Sequence, residues 1–345
     1  MAPTATLPAD DPQLDAGTAR RKLRNGLISL ALLVVLVVGL LLAVPGLRGV
    51  GHQVSHMKAS WLVVAVGLEL LSCLGYVGAF LQVFDRAPIR FGARVALSEL
   101  AFGAAVSLGG AGGAAVGAWL LVERGGPPGR IAQRSVVLFL LTSAANVITL
   151  AITGFALFFG LLPGPHNPLL SLLPGIVGTV TFVAVMALPR FTERLATARS
   201  SGRLQTVLVE TAVSIRETER LLFSADWRLA GAFGYLWFDI GVLLACFAAT
   251  GSVPSLAVVV LAYQIGYLSN LVPIPGNIGV LDGSLVGMFV LYGVSATTAT
   301  AATVVYHGIA LWIPAMWGTI AFLVLQRTRG RPVTLRPPRE ERRRR

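Results

Sequence analysis

Residues 255–293 read SLAVVVLAYQIGYLSNLVPIPGNIGVLDGSLVGMFVLYG, an apolar segment interrupted at Pro273-Ile-Pro-Gly-Asn-Ile-Gly279. A membrane helix needs about 20 apolar residues to cross roughly 30 Å of hydrocarbon. This segment is long enough to enter a bilayer but is broken in the middle. A helix broken in hydrocarbon leaves N–H and C=O groups that cost several kcal/mol each, unless protein or a water-filled cavity satisfies them. Glycine and proline let the backbone turn and approach a ligand closely. Two prolines and two glycines do not serve helix packing, so the break reads as part of a site. Neither flank, Gly251–Pro254 or Val294–Thr300, carries charge. Both ends are therefore placed on the outer side, and the segment is read as re-entrant.

A second interrupted segment, Val95–Val122, is broken at Gly109-Gly-Ala-Gly-Gly113. A loop carrying Arg86, Arg90 and Arg94 precedes it, and Arg124, Arg130 and Arg134 follow on the next loop. If it crossed the membrane, these arginines would be split between faces; if it returns, all stay together. The two breaks share a G-x-x-G-x-x-x-G pattern, Gly110, Gly113 and Gly117 matching Gly276, Gly279 and Gly283. The neighbouring spans keep nearly the same offset, Trp61 pairing with Leu229 and Ser135 with Ala301. One hairpin enters from each side, which makes an inverted-topology repeat. Such repeats carry transporter sites near the midplane, where broken helices meet. For the first break, close packing of small residues accounts for the glycines equally well.

The 345-residue chain is 55% hydrophobic and 13% charged, with mean hydropathy +0.74. Soluble proteins carry about 25% charged residues. Soluble enzymes, secreted disulfide scaffolds and disordered proteins are excluded; the composition is that of a polytopic all-α membrane protein. The net charge of +12 does not imply nucleic acid, because the 28 Lys and Arg all lie outside the apolar blocks. Nine of them fall in the last 19 residues. This is the distribution of the positive-inside rule. It gives six full spans, Gly26–Val44, Trp61–Phe84, Ser135–Gly160, Ser171–Pro189, Leu229–Thr250 and Ala301–Leu325, plus the two opposed hairpins. On this map both termini are cytoplasmic in a bacterial-type inner membrane.

The expected organisation is a disordered tail at 1–19, a membrane domain at 20–325 and a basic tail at 326–345. Within the membrane domain, repeats at about 61–160 and 229–325 are joined by a cytoplasmic segment, 190–228. The apolar spacing of Val207–Leu222 places that helix along the cytoplasmic interface. Cys73 and Cys246 both fall in apolar blocks and suggest neither disulfide nor metal framework.

Leu271-Val-Pro-Ile-Pro-Gly-Asn-Ile-Gly-Val-Leu-Asp-Gly283 resembles the P-x-P-G-G-x-G-x-x-E-G/A signature of the lysylphosphatidylglycerol synthase transmembrane-region family. Gly293-Val294, Ala301–His307 and Trp312–Gly318 look like the family's continuation. Ser98-Glu99 with Ser107–Gly113 looks like a degenerate first motif. In layout the resemblance covers roughly residues 20–325. It implies a lipid-flipping membrane module; no cofactor is expected. Asn277 stands at the family's second glycine, Asp282 at its Glu, and His307 where members often carry Arg. The chain has no soluble aminoacyl-transferase domain, so lipid synthesis is not expected of it.

Glu69, Glu99, Asp239 and Asp282 sit within apolar segments. Each charge at the bilayer centre costs about 2.5–3.5 kcal/mol on insertion scales, so such residues face a cavity or a partner. A packing carboxyl is the plainer alternative for each. The candidate substrate site comprises Glu99, Gly110, Gly113, Asp239, Asn270, Pro273, Pro275, Gly276, Asn277, Gly279, Asp282 and His307. Half-helix N–H groups would attract a phosphate. No catalytic or metal-binding motif is present. The expected activity is translocation of a phospholipid or polyprenyl-linked headgroup, not an enzymatic reaction. The rival readings are an integral membrane enzyme using Glu99, Asp239 or Asp282 as acid or base, and a scaffold docking a partner through 190–228 and the tail. The expected partners are membrane lipids; homo-oligomerisation is left open.

Overall fold

The computed structural model describes residues 16–43, 48–105, 111–165, 167–196, 203–224, 229–267 and 278–328. They form twelve α-helices, with no strand among the described residues. The first six are α1 (Ala16–Ala43), α2 (Arg48–Ser55), α3 (Ala59–Val83), α4 (Ile89–Ala105), α5 (Ala111–Glu123) and α6 (Pro128–Phe158). The rest are α7 (Pro168–Ala196), α8 (Arg203–Leu222), α9 (Leu229–Thr250), α10 (Leu256–Tyr267), α11 (Ile278–Leu291) and α12 (Ala296–Arg327).

Among the described residues, five helices are long and apolar enough to cross a membrane: α3, α6, α7, α9 and α12. They match five of the six expected crossings. The sixth, Gly26–Val44, falls largely in α1, most of whose apolar side chains lie outside the described residues. This helix begins at Ala16, ahead of the expected boundary near residue 20, and its Ala19 and Leu23 are buried in the core. Five apolar spans in an all-helical chain make this a multi-pass membrane protein.

The two interrupted segments fold as pairs of short helices. At 1.5 Å per residue, the 17 residues of α4 reach about 26 Å and the 13 of α5 about 20 Å. Both fall short of a hydrocarbon core of about 30 Å. The 12 residues of α10 and 14 of α11 are equally short. Within each pair the helices run antiparallel. Gly113 and Gly117 of α5 lie against Glu99 of α4, and Gly266 of α10 lies against Leu285 of α11. Residues 106–110 and 268–277, which join the helices of each pair in sequence, are outside the described residues.

The pairs open to opposite ends of the bundle. At one end, the finish of α3, the start of α4, the finish of α5 and the start of α6 surround a single cavity. Arg124, just after α5, donates to the carbonyl oxygens of Leu325 (3.5 Å) and Thr328 (3.3 Å), bringing the end of α12 to the same face. At the other end, Lys58 N–H donates to Ala249 O (3.0 Å), joining the start of α3 to the finish of α9. There too, Tyr292 beyond α11 donates to Leu170 O (2.7 Å) at the start of α7.

Arg90 and Arg94 are on the first turns of α4, and Arg130 and Arg134 on the first turns of α6, not in loops. Arginine is a good helix former, and its long stem lets the charged head reach water from a helix end. Likewise α7 does not stop at Pro189 but carries it inside the helix to Ala196. Helix α8 is seated on α6 and α7, with Ala212 and Ile215 buried and Glu217 paired to Arg134 of α6 at 2.7 Å.

The central seam is α3 against α9. A Cβ on Gly75 would lie 2.5 Å from Tyr235 N, and one on Gly231 would lie 2.7 Å from Ala79 N. Only glycine permits backbones to approach this closely, which is how membrane helices gain dispersion contacts without a hydrophobic drive. Ser72 Oγ adds a hydrogen bond across the seam to Tyr235 O (2.9 Å). Around it the halves exchange helices. Helix α12 runs along α4, with Phe102 and Phe322 edge to face at 5.1 Å, and α10 packs on α6.

Candidate functional site

Glu69, Glu99 and Asp239 each sit ten residues into their helix, about 15 Å along the axis. The helices are antiparallel or opposed, so all three carboxyls arrive near mid-height. Glu99 is buried and accepts from Tyr76 Oη of α3 at 2.7 Å. Asp239 is half-buried and accepts from two tyrosines. Tyr263 of α10 donates to its Oδ2, and Tyr306 of α12 lies 2.9 Å from Oδ2 and 3.1 Å from Oδ1. Glu69 is buried; its Oε1 takes a long contact from Cys73 Sγ at 3.8 Å, and its Oε2 accepts no hydrogen bond among the described residues.

These groups form one continuous strip. The ring of Tyr76 meets that of Tyr235 at 5.2 Å. Tyr235 lies within electrostatic range of both Glu69 and Asp239, which also act on each other across the seam. Tyr263 and Tyr306 stand edge to face at 6.4 Å, and Tyr306 adjoins His307 at 5.0 Å. His307 is buried and within electrostatic range of Asp239. The strip runs from the first short hairpin, through the seam, to the limb of the second. Its chemistry is that of carboxylate acceptors, phenolic donors and one imidazole. It can bind cationic or hydroxyl-rich groups and hand protons along tyrosine–carboxyl pairs.

Of the residues expected at the site, the structure brings Asp239 and His307 together and links Glu99 to them through tyrosines. Gly113 is buried against the Glu99 carbonyl, so its environment is helix packing. Gly110, Asn270, Pro273, Pro275, Gly276 and Asn277 lie outside the described residues. Gly279 and Asp282 are on α11, and the Asp282 side chain lies outside the described residues. Asn146 turns back to Thr142 O of its own helix (3.0 Å).

The four tyrosines were not among the sequence candidates. Their signal was available: a tyrosine in an apolar run needs a partner for its hydroxyl when buried. Tyr76 precedes Glu99 by 23 residues and Asp239 precedes Tyr263 by 24, so each half carries one tyrosine–carboxyl bridge from its first span to its first short helix. The donor and acceptor trade places between halves.

Comparison with known proteins agrees with this architecture. A UPF0104 membrane protein of Methanothermobacter thermautotrophicus is 33% identical over 105 residues, which is 30% of this chain and 29% of that protein. The match thus spans less than a third of the relative's length. The family described as lysylphosphatidylglycerol synthase TM region matches residues 27–318, nearly all of the helical bundle. The chain belongs to the lysylphosphatidylglycerol synthase transmembrane-region family.

Proposed function

We propose that the protein carries a lipid headgroup, from a phospholipid or a lipid-linked sugar or alcohol, from one leaflet of the cell membrane to the other. The observation that carries this reading is the strip of Glu99, Tyr76, Tyr235, Glu69, Asp239, Tyr263, Tyr306 and His307 between two hairpins that open to opposite faces. Polar groups are costly at this depth, and a row of them reaching both hairpins supplies what a headgroup loses on leaving water. The acyl chains stay in lipid, along outer faces that expose Val63, Phe139, Val180 and Ile320. The carboxyls contact headgroup amines or hydroxyls, while a phosphate is drawn to helix N-termini at the breaks. We place the arginine-bearing face, and with it both termini, in the cytoplasm of a bacterial-type inner membrane, following the positive-inside rule.

The test is headgroup accessibility in liposomes holding the purified protein and labelled phospholipids, beside protein-free liposomes. Rapid equilibration between leaflets, slowed at least tenfold by Asp239→Ala with Tyr306→Phe in folded protein, is the expected result. Transfer that is absent for every headgroup tried, or indifferent to those substitutions, would overturn the proposal.

A further inference from the structure

A cavity of about 340 Å³ lies at the arginine-bearing face, apart from the central strip. That volume is within the range of small-molecule sites. Four guanidinium groups line it: Arg86 from the α3–α4 loop, Arg124 after α5, and Arg130 and Arg134 from the first turns of α6. Two carboxylates, Asp85 and Glu217, share the lining, leaving an excess of positive charge. The floor is apolar, formed by Phe84, Phe91, Leu121 and Ile131. Arg124 is held in place, stacked over Phe91 at 5.4 Å from the ring centroid and bonded to the last carbonyls of α12.

The start of α6 faces the same space. Gly126, Pro127, Arg130 and Ile131 all line the cavity, and Pro127 at the N-cap gives the helix no side-chain acceptor. A helix of 31 residues therefore directs its positive end at a chamber already rich in arginine. Planar guanidinium forks match phosphate oxygens in pairs. The apolar floor beneath them fits the glycerol or alkyl portion that a phosphate ester carries.

We propose that this cavity is a phosphate-group site, occupied by a phospholipid headgroup resting at this face or by a soluble phosphate. It does not depend on whether lipid crosses through the central strip. Arg86 and Arg130 are exposed at the rim and make the adjustable contacts. Arg134 is divided between the cavity and Glu217, which sets the strength of the site.

The experiment uses the full chain in micelles of a non-ionic, phosphate-free maltoside detergent. In one arm phosphatidylglycerol is added and lipid retained per protein is counted by native mass spectrometry. In the other arm inorganic phosphate is titrated against thermal unfolding, with chloride at equal ionic strength as reference. Retention of phosphatidylglycerol, or protection by phosphate, is expected, and the arm that responds identifies the source. Arg86→Gln with Arg130→Gln should weaken that response about tenfold, the scale of losing charge-assisted hydrogen bonds. Glu217→Gln should strengthen it about threefold, an effect that misfolding cannot mimic. Arg20→Gln with Arg21→Gln, on the exposed start of α1, should leave it unchanged. No response in either arm, insensitivity to the rim variant, or an equal loss from the α1 control would overturn the site.

Discussion

Replacing Tyr306 by phenylalanine removes one oxygen from the packed interior and leaves the ring, which is fully buried, in place. No cavity is created, so the cost is that of the hydroxyl's interactions. The hydroxyl has one proton, shared between Asp239 Oδ2 at 2.9 Å and Oδ1 at 3.1 Å, and counts as one hydrogen bond. Such a bond contributes about 0.5–1.5 kcal/mol net, and stranding a buried acceptor adds about 1–3. Here Oδ2 keeps Tyr263 as donor, while Oδ1 loses the donor it has among the described residues. Asp239 is half-buried, which favours the lower end, and hydrogen bonds between membrane helices average only about 0.6 kcal/mol. The expected destabilisation is about 1–2 kcal/mol. It is measured by reversible unfolding in mixed micelles at rising SDS mole fraction. Repeating Tyr306→Phe in the Asp239→Leu background closes a double-mutant cycle. There the same change should cost nothing or stabilise, because the hydroxyl would already lack its acceptor. An unchanged cost in that background, or a cost below about 0.3 kcal/mol in the natural protein, would refute the pairing.

Two paired comparisons and one labelling experiment extend the test. Gly113→Ala places a methyl on the Glu99 carbonyl oxygen, a backbone atom that cannot swing aside, and should cost about 1–3 kcal/mol in the same unfolding assay. Gly67→Ala on exposed α3 surface, where a Cβ meets nothing within 4 Å, should instead stabilise by up to about 1 kcal/mol; equal losses at both glycines would sink the packing account. Glu69→Gln should be close to neutral, since Oε2 has no donor among the described residues and the substitution breaks no short hydrogen bond. Tyr76→Phe, which strips Glu99 of its phenolic donor, should cost about 1 kcal/mol; the reverse order would show that the strip is misassigned. Cys73 and Cys246, at 1% and 0% exposure, should resist maleimide in folded protein and react only as it unfolds. Fast labelling under native conditions would contradict their burial.

The spans were legible because hydropathy over twenty residues is a coarse signal that charge at the ends sharpens. The same signal misplaced Arg90, Arg94, Arg130 and Arg134, since it scores arginine as loop although its stem suits a helix end. Pro189 marks the end of an apolar run in sequence, yet α7 continues beyond it. Four carboxyls stand out against apolar neighbours, and three of them, Glu69, Glu99 and Asp239, belong with His307 to one strip. Their tyrosine donors did not stand out. A phenol is tolerated in apolar runs for its ring, and only three-dimensional proximity reveals what its hydroxyl does. The pairing of Tyr76 with Glu99 depends on α3 and α4 lying side by side, and that of Tyr306 with Asp239 on the approach of α12 to α9, which no local pattern encodes. Helix α8 looked like an interfacial helix; its periodicity is the same whether lipid or α6 and α7 take its apolar face.

The exchange of helices between halves bears on how the chain is made. Helix α4 rests along α12, which emerges from the ribosome about 190 residues later, or about 10–40 s at 5–20 residues per second. Through that interval Glu99 and its short hairpin are already in the insertion machinery or the bilayer without the helix that closes over them. The first half is thus inserted early but finished last, and its quality control is postponed to the end of translation. A defect near Phe322 would then surface as degradation of the N-terminal half, far in sequence from the lesion that caused it.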